Sequence, residues 1–426
     1  MTAIDPNTYM ETEWGLDTNP FPAGAISNSD DEPWAELYPE EISQLGRKFI
    51  RGGVRGGGAL GFLWSQGASA DTGFGKTRTI REMRDRINAD FGQSVLTEAG
   101  LRPERIVKVA AAYANMTSGA AMGLFPVLHA AVADLARPHR QVPAVFERAR
   151  GLVIQRIAER DGVPAGEVTP LAIANELRRV RLDTAPAGGP LRPELIDGFA
   201  QGGYALREAI GRASNALKLR AGIEYLDFAL AALKAAGIEK LYLFVDQLED
   251  LANNRTLTKA RRDREVGRIR DLQEEDPYAS QLRMVLTFHA SAQAALGDFW
   301  LKHRLPSFEA VPANESSVVV LRGIHSDEAG AELLRVYLDA GRVEDVDDDL
   351  LPFQADAVTE LIAQSQGRIG ILLDQAHKVL DAAARAGQPT ITADTVRNTL
   401  GGAPVTTSSV AVPGAADDDV DDLLLA

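Results

Sequence analysis

The sequence predicts an α/β fold in which helices cover a parallel sheet, a long helical insertion interrupts the core, and an all-α unit follows it. Three observations carry this. Short apolar runs at 59–64, 240–245, 283–287 and 317–321, with a further candidate at 105–110, have the length and bounding turns of strands buried on both faces. Between 117 and 236 no stretch reads as a strand, and helical periods recur. Beyond 322 only helical patterns remain.

Residues 1–45 form a lead-in rich in Pro, Asp, Glu and Asn, with few periodic apolar positions. Arg47 to Gly58 is basic and glycine-rich, and the run from Ala59 to Trp64 ends in Ser65, Gln66 and Gly67, a strand entering a loop. Thr77 to Phe91 has helical character. In the insertion, helical periods cover Val145 to Glu159, Pro170 to Leu182 and Tyr204 to Ala236, with breaks at Pro164 and from Ala185 to Pro190. The charged stretch Thr258 to Glu274 is a helix between two strands. Ser326 caps a helix that carries Asp327 and Glu328 in its first turn, where acids complement the dipole. Helices follow over 354–364 and 369–386, and Thr392 caps a last one ending near Leu400. The expected organisation is a lead-in at 1–45, a nucleotide-binding core at 46–322 with its insertion at about 117–236, a helical lid at 323–400, and a tail at 401–426 whose composition predicts disorder.

At 426 residues and 45% apolar content the chain can bury a sizeable core. It has no cysteine, which excludes disulfides, thiolate metal sites and cysteine nucleophiles. A formal net charge of −15 argues against coating nucleic acid by bulk electrostatics, though not against a local basic face. The first residues are polar and acidic, unlike a signal peptide. The most apolar stretch, 118–136, is broken by Gly123, Pro126, His129 and Asp134 and reads as a buried helix. These bounds predict a soluble, cytoplasmic protein with no membrane contact.

Chemistry concentrates first in Ala70, Asp71, Thr72, Gly73, Phe74, Gly75, Lys76 and Thr77, with Arg78 following. A strand, a glycine-rich loop ending in Gly-Lys-Thr, and a helix make a P-loop. Its backbone N–H groups and helix N-terminus cradle phosphates, Lys76 bridges the β- and γ-phosphates of ATP, and the Thr77 hydroxyl binds Mg²⁺. Ala70 stands where such loops usually begin with glycine.

The run Leu241 to Val245 delivers Asp246 at the end of a strand, where it holds Mg²⁺ through water. The next position, which in most such ATPases is the glutamate that polarises water, is Gln247. Either Glu249 serves instead or hydrolysis is slow. Thr287 and His289 end the following strand on one face and are candidates to sense the γ-phosphate or orient water. Arg304 is a candidate finger for a neighbouring subunit's nucleotide, with Arg261, Arg262 and Arg264 as competitors.

These motifs resemble the AAA+ superfamily, and within it the branch of origin-recognition and ExeA/TniB-type ATPases. The likeness rests on Gly15 to Phe21 (GLDTNPF), the P-loop, the Asp246 strand, and a lid pattern: Leu351 to Val358, Gln364 to Arg368, a long helix to Ala386, and Ile391 to Val396. It covers about 14–400 apart from the insertion. It implies ATP bound at a subunit interface, homo-oligomeric assembly, and action on DNA or a partner protein. Gly370 occupies the position where the family places its lid arginine, and Arg368 stands two residues earlier.

Two functions follow. One is a nucleotide-gated oligomeric switch or loader acting on DNA or a DNA-bound partner in a mobile-element, replication or phage-defence system. Arg47, Lys48, Arg51 and Arg55, or Arg261 to Arg270 on the charged helix, would touch phosphates. The alternative is a hydrolysis-poor ATP-binding adaptor that recruits proteins through its insertion and acidic tail. There, acids and then leucines (Asp421, Asp422, Leu423 to Leu425) suit a basic-rimmed apolar pocket.

Overall fold

The computed structural model describes residues 5–23, 39–56, 60–65, 73–116, 123–139, 142–184, 189–248, 250–253, 257–287, 290–308, 317–343, 346 and 348–401. Five parallel strands form one sheet: β1 Leu60–Ser65, β2 Lys108–Asn115, β3 Ile238–Asp246, β4 Leu282–Thr287 and β5 Val318–Leu321, in the order β2-β3-β4-β1-β5. β1 lies between β4 and β5, so its C-terminal end stands beside that of β4, which in turn pairs with β3. Every expected strand is present. The difference is β2, which runs through Ala110, Ala111, Ala112 and Tyr113 to Asn115. Alanine has little strand propensity of its own, but here the whole run is paired to β3 and covered by helices.

Alternate side chains feed two cores. Leu241, Leu243 and Val245 enter one, and Tyr242 and Phe244 the other, as period-two alternation on a doubly covered sheet requires. The first core is closed by the segment between β2 and β3, whose longer described elements are helices: Leu124–Leu135, Val145–Asp161, Pro170–Thr184, Pro193–Gln201, Gly203–Gly211, Asn215–Arg220 and Gly222–Ala235. The expected single helix over 204–236 is thus three. The last begins where Gly222 crosses helix Leu124–Leu135 so closely that a Cβ would lie 2.4 Å from the Phe125 carbonyl oxygen.

The second core joins helix Lys76–Asp90 to the C-terminal helices Asp327–Gly341, Ala355–Ser365, Ile369–Ala386 and Ala393–Leu400. Ser326 accepts from the Ala329 N–H at 3.2 Å and Thr392 caps the last helix within a capping box, as the sequence indicates.

The lead-in contributes to this core. Helix Pro6–Trp14 buries Met10 and Trp14, and Phe21 stacks on Tyr337 and meets Phe353 edge-on. Trp14 Nε1 donates to the Pro389 carbonyl at 3.0 Å, Asn19 Nδ2 donates to the His377 carbonyl at 2.9 Å, and Arg342 donates to the Trp14 carbonyl at 2.7 Å. The GLDTNPF motif is therefore a clasp on the lid. Trp14→Ala is expected to cost about 3–5 kcal/mol of unfolding free energy by emptying a buried indole site, read by urea denaturation. No helix among the described residues is long and apolar enough to cross a membrane.

Candidate functional site

Helix Lys76–Asp90 begins at Gly75, whose φ of 81°, after 87° at Gly73, is a left-handed geometry that glycine adopts without strain. That turn aims the helix N-terminus and Lys76 toward the ends of β1 and β3. Lys76 is buried and its Nζ donates to Ser65 Oγ at the end of β1, 2.9 Å away. Phe74 is buried beneath the loop and Arg78 is half-buried in the first helical turn. Ala70, Asp71 and Thr72 lie outside the described residues, as do Glu249 and His289.

Asp246 is the hub. Its Oδ2 accepts from Thr77 Oγ1 at 2.6 Å and Tyr113 OH at 3.2 Å. Its Oδ1 accepts from Thr287 Oγ1 at 2.6 Å and the Gln247 N–H at 3.1 Å. The carboxylate is 2% exposed, and four donors from β2, β3, β4 and the loop helix replace the water it has lost. Thr77, Asp246 and Thr287, singled out separately in the sequence, are thus one cluster.

Gln247 has φ of 58°, and its N–H also lies 3.0 Å from Thr287 Oγ1. This left-handed turn takes the chain sharply out of β3 at the position where a glutamate was expected, and the Gln247 carbonyl then accepts from the Asp250 N–H at 3.0 Å.

Helix Ile369–Ala386 reaches the loop through backbone. The Gly370 N–H donates to the Gly73 carbonyl at 2.7 Å. Arg368 is 3% exposed, and a methyl placed on Gly73 would lie 3.7 Å from its Cβ. Its Nε donates to the Ser365 carbonyl at 3.2 Å, whereas Nη2 is buried without a partner among the described residues. Burial pushes this guanidinium below its usual range. Gly370, at the family's arginine position, binds the loop with its main chain, and Arg368 supplies the nearby cation.

Arg304 is not brought to this cluster. It is exposed just after helix Ala290–Lys302, with φ of 53°, and its carbonyl accepts from Arg270 at 3.0 Å. The charged helix Lys259–Glu274 is largely self-paired: Arg268 meets Glu265 at 2.6 Å and lies over Phe125, and Arg270 pairs with Glu274. Glu265 is buried and accepts from the Leu124 N–H at 2.7 Å, so part of this helix faces the insertion and not solvent.

Tyr113 and Ser65 are participants the sequence reading missed. Burial first, then the Asp246 charge, pushes the Tyr113 phenol above its ordinary range, so it remains a neutral donor. The Arg81 guanidinium lies over its ring at 4.7 Å. The sequence carried little signal for it, because the strand that places Tyr113 beside Asp246 is an alanine-rich run defined by its pairing with β3.

No protein-family model matches the chain, and no curated protein matches it. Among solved structures it is similar to the ORC2 protein of Aeropyrum pernix in two forms. The form described as ADPNP-ADP complexes aligns at 13% identity over 89% of this chain and 70% of that one, with a TM-score of 0.44. The ADP form aligns at 12% identity over 88% of this chain and 71% of that one, with a TM-score of 0.45. The chemistry of the site therefore rests on its own geometry.

Proposed function

We propose that the chain binds ATP with Mg²⁺ at the loop–Asp246 cluster and works as a nucleotide-gated switch in which hydrolysis is slow. The observation that carries this is the convergence of Thr77, Asp246 and Thr287 within hydrogen-bond distance, beside a buried Lys76 at a helix N-terminus. Lysine and successive backbone N–H groups suit a polyphosphate.

Mg²⁺ fits the donors present. It keeps several waters and takes one or two carboxylates plus phosphate oxygens, and Asp246 with the Thr77 hydroxyl offers that kind of set. Those two residues would hold the ion, which would supply positive charge to neutralise the phosphates.

Slow hydrolysis follows from Gln247, an amide that cannot take a proton, in a turn that leaves the strand line. Gating follows from the lid: the Gly370–Gly73 bond and the unsatisfied Arg368 Nη2 place lid groups against the phosphate loop, where a terminal phosphate oxygen is a suitable acceptor. Homo-oligomeric assembly, with the exposed Arg304 serving a neighbour's nucleotide, and action on DNA or a DNA-bound partner extend this reading. The alternative keeps ATP binding but makes the chain an adaptor for proteins.

Titration with a fluorescent ATP analogue, phosphate release with and without duplex DNA, and light scattering test it together. Expected are affinity at least tenfold higher with Mg²⁺, turnover far below the about 10 s⁻¹ typical of enzymes, and larger particles with ATP. Turnover near the typical rate sinks the switch reading. Absence of Mg²⁺-dependent binding sinks the site itself, and assembly or turnover indifferent to DNA favours the adaptor.

A further inference from the structure

The strand ends opposite the phosphate loop carry a feature that ATP binding does not use. Arg55, just after helix Arg51–Val54, and Arg105, just before β2, line a cavity of about 540 Å³ whose other walls are Val54, Leu101 and Val107. Both arginines are exposed, and so are Arg102 and Lys108 beside them in the chain. Among the described residues none of the four has a carboxylate within ion-pair reach, although Glu104 stands between them in sequence. Other exposed arginines do find carboxylates, as in Arg86–Glu98 and Arg160–Glu176. On a chain of net charge −15 this rim is a local basic patch over an apolar floor.

We propose that this cavity is the docking site for the chain's own acidic–apolar segment, residues 417–425, bound in cis. That segment reads Asp417, Asp418, Asp419, Val420, Asp421, Asp422 and three leucines, and residues 402–426 contain no basic residue. It offers five carboxylates to the rim and Val420 with Leu423, Leu424 and Leu425 to Val54, Leu101 and Val107. A phosphodiester backbone would use the rim but leave the apolar floor without a partner, so the observations favour a peptide over nucleic acid. Residues 402–416 can span about 50 Å when extended, which sets the reach that cis docking must stay within. Within the r.m.s. reach of such a tether the effective concentration would be on the order of millimolar, so weak intrinsic affinity would be enough for occupancy. Charges beyond a Debye length of about 10 Å are screened at 0.1 M salt, which lets the local rim prevail over the net charge.

The test uses a fluorescein-labelled peptide of residues 415–425 and full-length chains, read by anisotropy. In one chain the tail is neutralised by Asp417→Asn, Asp418→Asn, Asp419→Asn, Asp421→Asn and Asp422→Asn with Leu423→Ser, Leu424→Ser and Leu425→Ser. This chain is expected to bind the peptide at least tenfold more tightly than the wild type, whose own segment competes. Adding Arg55→Glu and Arg105→Glu to it should remove that binding while nucleotide affinity and the melting curve stay unchanged. Failure of the neutralised chain to bind, or binding indifferent to the two charge reversals, overturns the proposal. Concentration-dependent self-association of the wild type that the reversals abolish also overturns it, in favour of docking between copies. So does duplex DNA binding that needs Arg55 and Arg105 and is equal with and without the acidic segment.

Discussion

Lys76→Ala is expected to lower ATP affinity by at least about 100-fold. The ammonium would make two charge-assisted contacts to phosphate oxygens, each worth roughly 1.5–3 kcal/mol, and each 1.4 kcal/mol is about a factor of ten in affinity. Isothermal titration with Mg²⁺-ATP measures it. Stability separates this loss from misfolding. Lys76 is buried, and its removal forfeits the Ser65 hydrogen bond but also relieves the desolvation of a cation. The melting midpoint without nucleotide should therefore fall by no more than about 4 °C, whereas the upward shift that ATP gives the wild type should vanish. A variant that still melts higher with ATP would remove Lys76 from the binding site.

Changes at Asp246 should divide by whether the new side chain can still accept. Asp246→Ala removes the common acceptor of Thr77, Tyr113 and Thr287 in a buried site, while the Gln247 N–H keeps Thr287 Oγ1 at 3.0 Å. Three buried hydroxyls must then find other acceptors, so the expected loss is about 2–3 kcal/mol of unfolding free energy. Asp246→Asn is a milder case with a defined orientation. Its carbonyl must take the side facing the Gln247 N–H, and its amide then faces Thr77 and Tyr113, whose hydroxyls can accept. That arrangement should cost only about 1 kcal/mol. Both variants should lose the Mg²⁺ dependence of nucleotide binding, because neither has a charge to offer the ion. Urea denaturation and titrations across Mg²⁺ concentrations measure the two effects, and an asparagine variant as unstable as the alanine one would contradict this account of the network.

Much of the site was legible because its chemistry is local in sequence. Gly73, Gly75, Lys76 and Thr77 are contiguous, and β3 and β4 announce Asp246 and Thr287 as polar residues ending apolar runs. What sequence could not supply was their meeting, since it depends on β1 lying between β4 and β5, with β4 joining it to β3. Tyr113 escaped because an alanine-rich run gives no strand period of its own, and only pairing with β3 makes it one. Helix Pro193–Gln201 was passed over although Leu195, Ile196 and Phe199 mark a buried face, a signal overshadowed by the Pro and Gly residues before it. The lead-in misled for another reason. Nine residues carry too few turns for a clear period, and Met10, Trp14 and Phe21 find their partners more than 300 positions away in the lid.

That clasp has a mechanical consequence. Residues 6–23 are bonded to the C-terminal helices through Pro389, His377, Gly341 and Arg342, so a displacement of those helices would carry the start of the chain with it as a lever arm. Helix Ile369–Ala386 in turn meets the Gly73 turn by the Gly370–Gly73 bond. A ligand that loosens or tightens that contact would therefore be read out at residue 6, in a segment that never touches it.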